Sequence, residues 1–265
     1  MDHNGARLAG ESLGNGRAIV FLHAGVADRR MWSRQVDGLS DTWRAVAYDR
    51  RGFGETSCSS DAAFSHVDDL VAVMDRCAID SACLIGCSQG GRIAVDFALA
   101  HPRRVAGLVL IAAAVSGAPE PDGFTPEIDA KVALLEAAEA ADDIERVNAL
   151  EANLWLDGPA MPEGRVGGEP RALLLEMNAT ALGHPELTGE IEPPSAWPRL
   201  GEISVPALVI SGALDFPYIQ AMCRHLAETI PNARGVELDQ AAHLPNLEDP
   251  ARINDLLGNF LTDLG

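Results

Sequence analysis

Short apolar runs typical of buried strands alternate with amphipathic segments typical of helices along most of the chain. This alternation predicts an α/β fold, a mostly parallel central sheet flanked by helices, because strands joined through helices pair in parallel with right-handed crossovers. The first part of the chain holds predicted strands near residues 18–22, 44–48, 81–85 and 105–111, and predicted helices near 29–38, 66–77 and 90–100. A short hairpin is predicted over residues 6–12, with Gly14-Asn15-Gly16 as a turn.

The alternation breaks between Val115 and Trp197. Three helical patterns follow one another there, at residues 126–141, 144–156 and 171–182, with a loop rich in glycine and proline at 158–170. Strand and helix patterns then resume. We therefore predict one core built from residues 1–114 and 198–265, with residues 115–197 inserted into it as a helical cap. Below, residues 115–197 are called the cap segment.

Ser88 stands at the apex of Gly86-Cys87-Ser88-Gln89-Gly90-Gly91, between a predicted strand and a predicted helix. A serine in so tight a turn takes a strained backbone conformation, so the residues two before and two after it must be small. Its hydroxyl then projects from the carboxyl edge of the sheet, where the first helical amide faces any anion that forms. Gly-x-Ser-x-Gly alone also fits an ordinary turn. The strand and helix around it favour a nucleophile.

A serine alcohol needs a base to become a nucleophile, and the base needs an orienting acid. In this strand–turn–helix arrangement they follow in the order serine, acid, histidine. Of the seven histidines, His243 alone lies in a short loop between a strand pattern and the final helix. The others precede or crowd the serine, or lie in helical or glycine- and proline-rich segments. His243 is therefore the candidate base.

Asp215 is the candidate acid, because it follows directly after the buried strand predicted at 206–211. The structural alternative is that it caps the helix that starts near Pro217. Asp239 and Asp249 are rival acids, but both lie close to His243 along the chain. A catalytic acid at Asp215 leaves the histidine loop free to reach it from the next strand.

These segments resemble the α/β-hydrolase fold family over nearly the whole chain. Residues 19–26 look like the family's strand followed by a His-Gly-x oxyanion loop, and Trp32 falls where many members carry a tryptophan. Residues 49–57 resemble the family's Asp-x-Arg-Gly-x-Gly-x-Ser loop. Ala24 departs from the pattern, because a glycine is usual there.

The resemblance implies an oxyanion hole made of two backbone amides. By spacing to the tryptophan, the first is assigned to Gly25, with Val26 as the fallback, and the second to Gln89. Asp49 and Arg51 are interpreted as a structural ion pair of their loop.

The resemblance also implies that the cap segment is a lid over the serine. Apolar residues of the cap and core would then line a pocket for a small, mostly apolar acyl compound. Alternatively, they pack the cap against the core. The candidate pocket residues are Val26, Met31, Trp32, Leu154, Trp155, Phe216 and Leu244.

Charge and cysteine content restrict the partners, cofactors and cellular compartment that we expect for this chain. A net charge of −19 argues against nucleic acid or an anionic membrane as a partner. The five cysteines are odd in number and lack metal-binding spacing, and the first residues carry no signal-peptide pattern. We expect a cytoplasmic monomer or homodimer that acts on a small-molecule acyl substrate and needs no metal or other cofactor.

The expected function is serine-dependent hydrolysis of a small, mostly apolar carboxylic ester or lactone through an acyl-enzyme, as in the esterase and enol-lactonase members of the family. Serine at the apex, where aspartate would stand, disfavours haloalkane dehalogenase and epoxide hydrolase chemistry. Two alternatives stay open. One is a carbon–carbon bond hydrolase or perhydrolase of the same fold, and the other is a non-hydrolytic ligand-binding or biosynthetic member.

Overall fold

The computed structural model describes residues 1–121 and 123–264. Its strands are β1 (Asp2–His3), β2 (Ala6–Arg7), β3 (Gly10–Leu13), β4 (Ala18–Leu22), β5 (Arg44–Tyr48), β6 (Ser57–Cys58), β7 (Ala82–Cys87), β8 (Val105–Ile111), β9 (Ala207–Gly212) and β10 (Ala233–Leu238). Its α-helices are α1 (Ser33–Leu39), α2 (His66–Arg76), α3 (Gln89–Ala100), α4 (Pro126–Ala140), α5 (Ile144–Ala152), α6 (Gly168–Leu182), α7 (Pro217–Thr229), α8 (Pro245–Glu248) and α9 (Pro250–Asp263). None of these helices has both the length and the apolar character needed to cross a bilayer.

Seven strands form the central sheet in the order β10-β9-β8-β7-β4-β5-β3. All neighbours pair in parallel except β3, which runs antiparallel to β5 at one edge. The predicted α/β fold with a mostly parallel central sheet is therefore confirmed. The strand order brings the ends of β4, β7, β8 and β9 to one edge of the sheet, where the loops that carry the candidate residues begin.

Both faces of the sheet are covered, as parallel sheets require. Successive residues of β4 alternate between two apolar clusters: Val20 and Leu22 lie in one, Ile19 and Phe21 in the other. The first cluster includes buried side chains of α2, α3 and α7, and the second includes those of α1 and α9. The near-continuous apolar runs in the sequence follow from this burial on both sides.

The N-terminal hairpin differs from the prediction. The turn is Asn4-Gly5, both residues have positive φ (41° and 75°), and it joins β1 to β2. Asn-Gly is the residue pair that such a two-residue turn favours, and the sequence prediction overlooked it. The segment predicted as the second hairpin strand instead contributes β3, which pairs with β5 at the sheet edge. Gly14-Asn15-Gly16 does lie in the connection between β3 and β4.

Other boundaries shift by a few residues. The helix predicted over 29–38 is divided into a 3₁₀ turn, Arg29–Trp32, and α1. The turn is tight because the Asp28 side chain accepts a hydrogen bond from the Arg30 amide at its start. The helix predicted over 144–156 ends at Ala152 and continues as a π-helical turn, Asn153–Asp157.

Asp49 and Arg51 do not pair with each other as predicted. Asp49 forms an ion pair with Arg29 and accepts the Glu55 amide at 2.9 Å. Arg51 forms a two-point pair with Asp69 of α2, at 2.8 Å for each contact. Each charge is buried, so each requires its own partner, and the loop is held from two sides.

The cap segment leaves the core after β8 and returns before β9. It holds α4, α5 and α6, and α5 packs between the other two. Ala138, Val147 and Leu150 form a small apolar cluster of its own.

Glycines at the turn between β7 and α3 permit a very close backbone approach. A Cβ on Gly90 would lie 2.1 Å from the Leu22 carbonyl oxygen, and one on Gly86 would lie 2.3 Å from the Gly90 carbonyl oxygen. Both neighbours are backbone atoms, which cannot rotate away as a side chain would. Only glycine fits these two positions at this separation.

We therefore expect Gly90→Ala to destabilise the fold by about 1–3 kcal/mol, the usual cost of overpacking, despite alanine's better helix propensity. The matched control is Gly258→Ala in α9, where an added Cβ meets nothing within 4 Å. That change should stabilise the protein by about 0.5–1 kcal/mol. Urea unfolding of both variants measures the difference. Equal stability of the two alanine variants would contradict the close approach.

Candidate active site

Ser88 connects β7 to α3 with φ 53° and ψ −117°, a conformation that is strained for a residue with a side chain. Its carbonyl accepts the Ala114 amide at 3.1 Å and its amide donates to the Ile111 carbonyl at 2.9 Å, so the turn is fixed to the end of β8. The residue is half-exposed. A strained, accessible serine at the carboxyl edge of the sheet is the geometry expected of a nucleophile.

His243 and Asp215 meet as the sequence predicts. His243 Nδ1 lies 2.7 Å from Asp215 Oδ2, and both side chains are buried. The other carboxyl oxygen of Asp215 accepts the Phe216 amide at 2.7 Å. Because a carboxylate only accepts hydrogen bonds, Nδ1 carries the proton, and Nε2 of the neutral ring is left as an acceptor.

The loop that carries His243 is held by ionic contacts from the cap segment. The Ala242 amide donates to Glu248 Oε1 at 2.8 Å, and Glu248 forms an ion pair with Arg165. Arg165 also donates to the Gln240 carbonyl at 2.9 Å. A residue of the cap thus fixes the backbone on both sides of Ala241, directly before the histidine.

A cavity of about 320 Å³ joins the candidate residues. Ser88 and His243 both line it, as do Gly25 and Gln89, which were assigned to the oxyanion hole. Of the seven candidate pocket residues, Val26 and Trp155 line it. The Trp155 ring lies 4.6 Å from the His243 ring and 4.9 Å from the Phe216 ring, so it forms a wall beside the histidine.

The other five candidate pocket residues are buried in the apolar core: Met31, Trp32, Leu154, Phe216 and Leu244. The Met31 sulfur accepts the Ala24 amide at 3.3 Å and so holds the loop that was assigned to the oxyanion hole. Trp32 packs on Phe21 of β4, with ring centroids 5.1 Å apart. Their apolar character is therefore used in packing the loops, not in lining this cavity.

Five further residues line the cavity and were not predicted from the sequence: Ala114, Glu151, Tyr218, Ile219 and Met222. The last three lie on α7, directly after the candidate acid, and spacing shows that Tyr218 and Met222 share a helix face. Glu151 precedes Trp155 by four residues, so the same rule would have placed it beside the tryptophan. Burial raises the pKa of Tyr218 to about 12, with a further contribution from Asp215, so the phenol is neutral.

The oxyanion loop is fixed by a buried guanidinium. Arg50 donates to the Ala24 carbonyl at 3.2 Å and to the Gln89 side-chain oxygen at 3.1 Å, so it bridges the two assigned halves of the hole. Burial lowers the pKa of Arg50 to about 10, which leaves it charged at neutral pH.

Within the described residues, no three of the His, Cys, Asp and Glu side chains gather as a metal site would require.

His23, under the same loop, is held as a neutral ring. Its Nδ1 lies 2.8 Å from the Ala24 carbonyl oxygen, and its Nε2 accepts the Arg50 amide at 3.0 Å. Burial, and then the charge of Arg50, lower the pKa of His23 well below its usual value. Burial and Arg50 do the same to the pKa of His66.

Comparison with known proteins gives one consistent fold. A family model described as alpha/beta hydrolase fold matches residues 17–250. A pimeloyl-[acyl-carrier protein] methyl ester esterase from Aeromonas hydrophila is 26% identical over 95% of this chain and 98% of its own. A 2-hydroxy-6-oxononadienedioate/2-hydroxy-6-oxononatrienedioate hydrolase from Burkholderia vietnamiensis is 28% identical over 92% and 86%. Est816, a solved N-acyl homoserine lactone degrading enzyme, is 27% identical with a TM-score of 0.74 over 98% of both chains.

The two buried neutral histidines predict loss of stability in mild acid. Their lowered pKa values mean that the unfolded chain binds protons more strongly than the folded one, so stability falls as pH drops below about 6.5. Each histidine should cost about 1.4 kcal/mol of unfolding free energy between pH 7.5 and 5.5. Urea unfolding of the wild type and of His66→Gln at both pH values isolates one of them. Parallel losses in the two proteins would contradict the burial of a neutral His66.

Proposed function

The chain belongs to the α/β-hydrolase fold family, and from that premise we propose a serine-dependent hydrolase of small, mostly apolar carboxylic esters or lactones. One observation carries the proposal. His243, joined to Asp215 at 2.7 Å, lines one cavity with a half-buried serine in a strained turn. Nucleophile, acid and base follow one another along the chain in the order that this strand–turn–helix arrangement uses.

In the proposed reaction, Ser88 Oγ attacks the ester carbonyl while His243 Nε2 takes its proton. Asp215 holds the ring in the required tautomer and stabilises the imidazolium that forms. The amides of Gly25 and Gln89 hold the negative oxygen of the tetrahedral intermediate. Its collapse releases the alcohol, which takes the proton back from His243. Water, activated by the same histidine, then hydrolyses the acyl-serine.

The related proteins support hydrolysis as the type of reaction, but they differ in the type of bond that is hydrolysed. The Aeromonas hydrophila relative is an esterase by name, the Burkholderia vietnamiensis relative a hydrolase of dioates, and Est816 a lactone-degrading enzyme. We favour an ester or lactone because apolar side chains such as Val26, Ile219 and Met222 predominate in the cavity wall. An acyl chain would gain from burial against them.

Substitution of the catalytic residues tests the proposal. We expect Ser88→Ala and Asp215→Asn each to lower kcat/KM on p-nitrophenyl butyrate by about 10³-fold or more, because the first removes the nucleophile and the second the tautomer lock. Asp239→Asn is the matched control and should keep the wild-type rate, because this rival acid is exposed to solvent and the carboxyl group joined to His243 is that of Asp215. Retention of most activity by a folded Ser88→Ala would overturn the assignment, and so would a wild type inactive on ester and lactone panels.

Substitution of Trp155 tests whether the cap segment selects among substrates. Trp155→Ala removes the wall beside His243, so longer acyl chains should gain relative to acetate esters, by about 1–3 kcal/mol per methylene accommodated. The substitution also removes packing against Phe216, so melting temperatures must accompany the kinetics. A folded Trp155→Ala enzyme with the wild-type chain-length profile would show that the cap does not shape the pocket.

A further inference from the structure

The cavity wall carries one carboxylate, Glu151, and its described lining includes no arginine or lysine. Glu151 lies at the end of α5, one helical turn before Trp155, whose ring lies 4.6 Å from that of His243. A substrate seated between Ser88 and the cap segment would therefore meet this carboxylate with part of its chain.

Glu151 is held by a hydrogen bond that leaves one oxygen free. Its Oε2 accepts from Asn178 Nδ2 at 2.7 Å, and the same amide group of Asn178 donates to Asn148 Oδ1 at 3.0 Å. Among the described residues, no group donates to Oε1 and no cationic side chain pairs with the carboxylate. Desolvation raises the pKa of Glu151 despite the hydrogen bond from Asn178, with a further contribution from the charge of Glu139.

A glutamine at position 151 would accept the same hydrogen bond from Asn178 with the same shape and without the cost of burying a charge. The bond to Asn178 therefore does not account for the charge. A carboxylate in the wall of a substrate cavity accounts for it, if the substrate brings a hydrogen-bond donor.

We infer that Glu151 selects among acyl substrates by charge, binding an N–H or O–H donor on the acyl chain and repelling substrates that carry a second carboxylate. This inference rests on the proposed ester hydrolysis. It separates this chain from the Burkholderia vietnamiensis relative, which acts on dioates by name, because a dioate would bring its carboxylate toward a wall that offers no cation.

Matched ethyl esters test the inference: hexanoate, 6-hydroxyhexanoate, 6-aminohexanoate and the monoethyl ester of adipic acid. The wild type should prefer the amino or hydroxy ester to the adipate ester. Glu151→Gln should raise kcat/KM on the adipate ester and lower it on the amino ester, each by about tenfold, the scale of one hydrogen bond to a charged group. The rate on hexanoate, which brings neither a donor nor a second charge, is the reference by which the other three rates are divided. The hydroxy and amino esters distinguish a hydroxyl from an ammonium donor.

Glu145→Gln is the control, because Glu145 is an exposed glutamate on the same helix and loses the same charge away from the cavity. It should leave all four rates unchanged. If Glu145→Gln shifts the ratios as Glu151→Gln does, net charge and not the cavity is responsible, and the inference fails. Unchanged ratios in a folded Glu151→Gln enzyme, verified by its melting temperature, also overturn it.

A binding measurement needs no turnover. Calorimetry should show that pentylammonium binds the wild type at least about tenfold more tightly than it binds Glu151→Gln, while Glu145→Gln binds it as the wild type does. Equal affinities of the wild type and Glu151→Gln refute the inference. If no ester is hydrolysed but this difference holds, the proposed function fails while the assignment of Glu151 survives.

Discussion

The close backbone contact between β4 and the start of α3 is the constraint on which the candidate site depends. Gly90 approaches the Leu22 carbonyl so closely that a Cβ would lie 2.1 Å from it. Leu22 ends β4, and the oxyanion loop follows it directly. The same contact therefore sets the strain at Ser88 and the separation between the Gln89 amide and the amide of Gly25. Any side chain at position 90 would clash with the end of β4 and so disturb both Ser88 and the loop assigned to the oxyanion hole.

A second close backbone contact at a glycine lies on the opposite side of the site. A Cβ on Gly212, at the end of β9, would lie 2.1 Å from the Ala242 carbonyl oxygen. The Leu214 amide donates to the Ala241 carbonyl at 2.9 Å, so the loops that carry Asp215 and His243 are joined through backbone. Two glycine contacts, one at each side, thus join the loops that follow four strands, β4 with β7 and β9 with β10. The cap segment is joined to these loops by side chains, through the ion pair of Arg165 with Glu248.

The sequence predicts the polar residues of the site better than its apolar walls, for a physical reason. Ser88, Asp215 and His243 each lie in the connection that follows a strand, and parallel strands end at one edge, so their positions along the chain imply their proximity. An apolar residue such as Phe216 carries no such information. It is buried equally well in the core or in a pocket wall, and the direction of its side chain depends on packing that no local pattern specifies.

The same reasoning explains which fold details were predictable. The strands 18–22, 44–48 and 105–111 have the predicted bounds, because a run buried on both faces has sharp ends. The N-terminal pairing was missed because β3 is fully exposed and its partner, β5, lies more than thirty residues further on. Glu151 was missed although its spacing to Trp155 is a helical turn, since a glutamate on an amphipathic helix normally marks the solvent face.

Charge is distributed unevenly across the cavity, and this distribution constrains how a substrate lies in it. Beneath the assigned oxyanion hole lies the guanidinium of Arg50, which forms no ion pair with a carboxylate among the described residues and stacks on Phe53 at 4.4 Å. On the cap side stands the carboxylate of Glu151. A carbonyl that becomes negative gains from the first and would be repelled by the second. The field therefore favours one orientation, with the reacting carbonyl toward the glycine-packed turn and any donor group toward the cap.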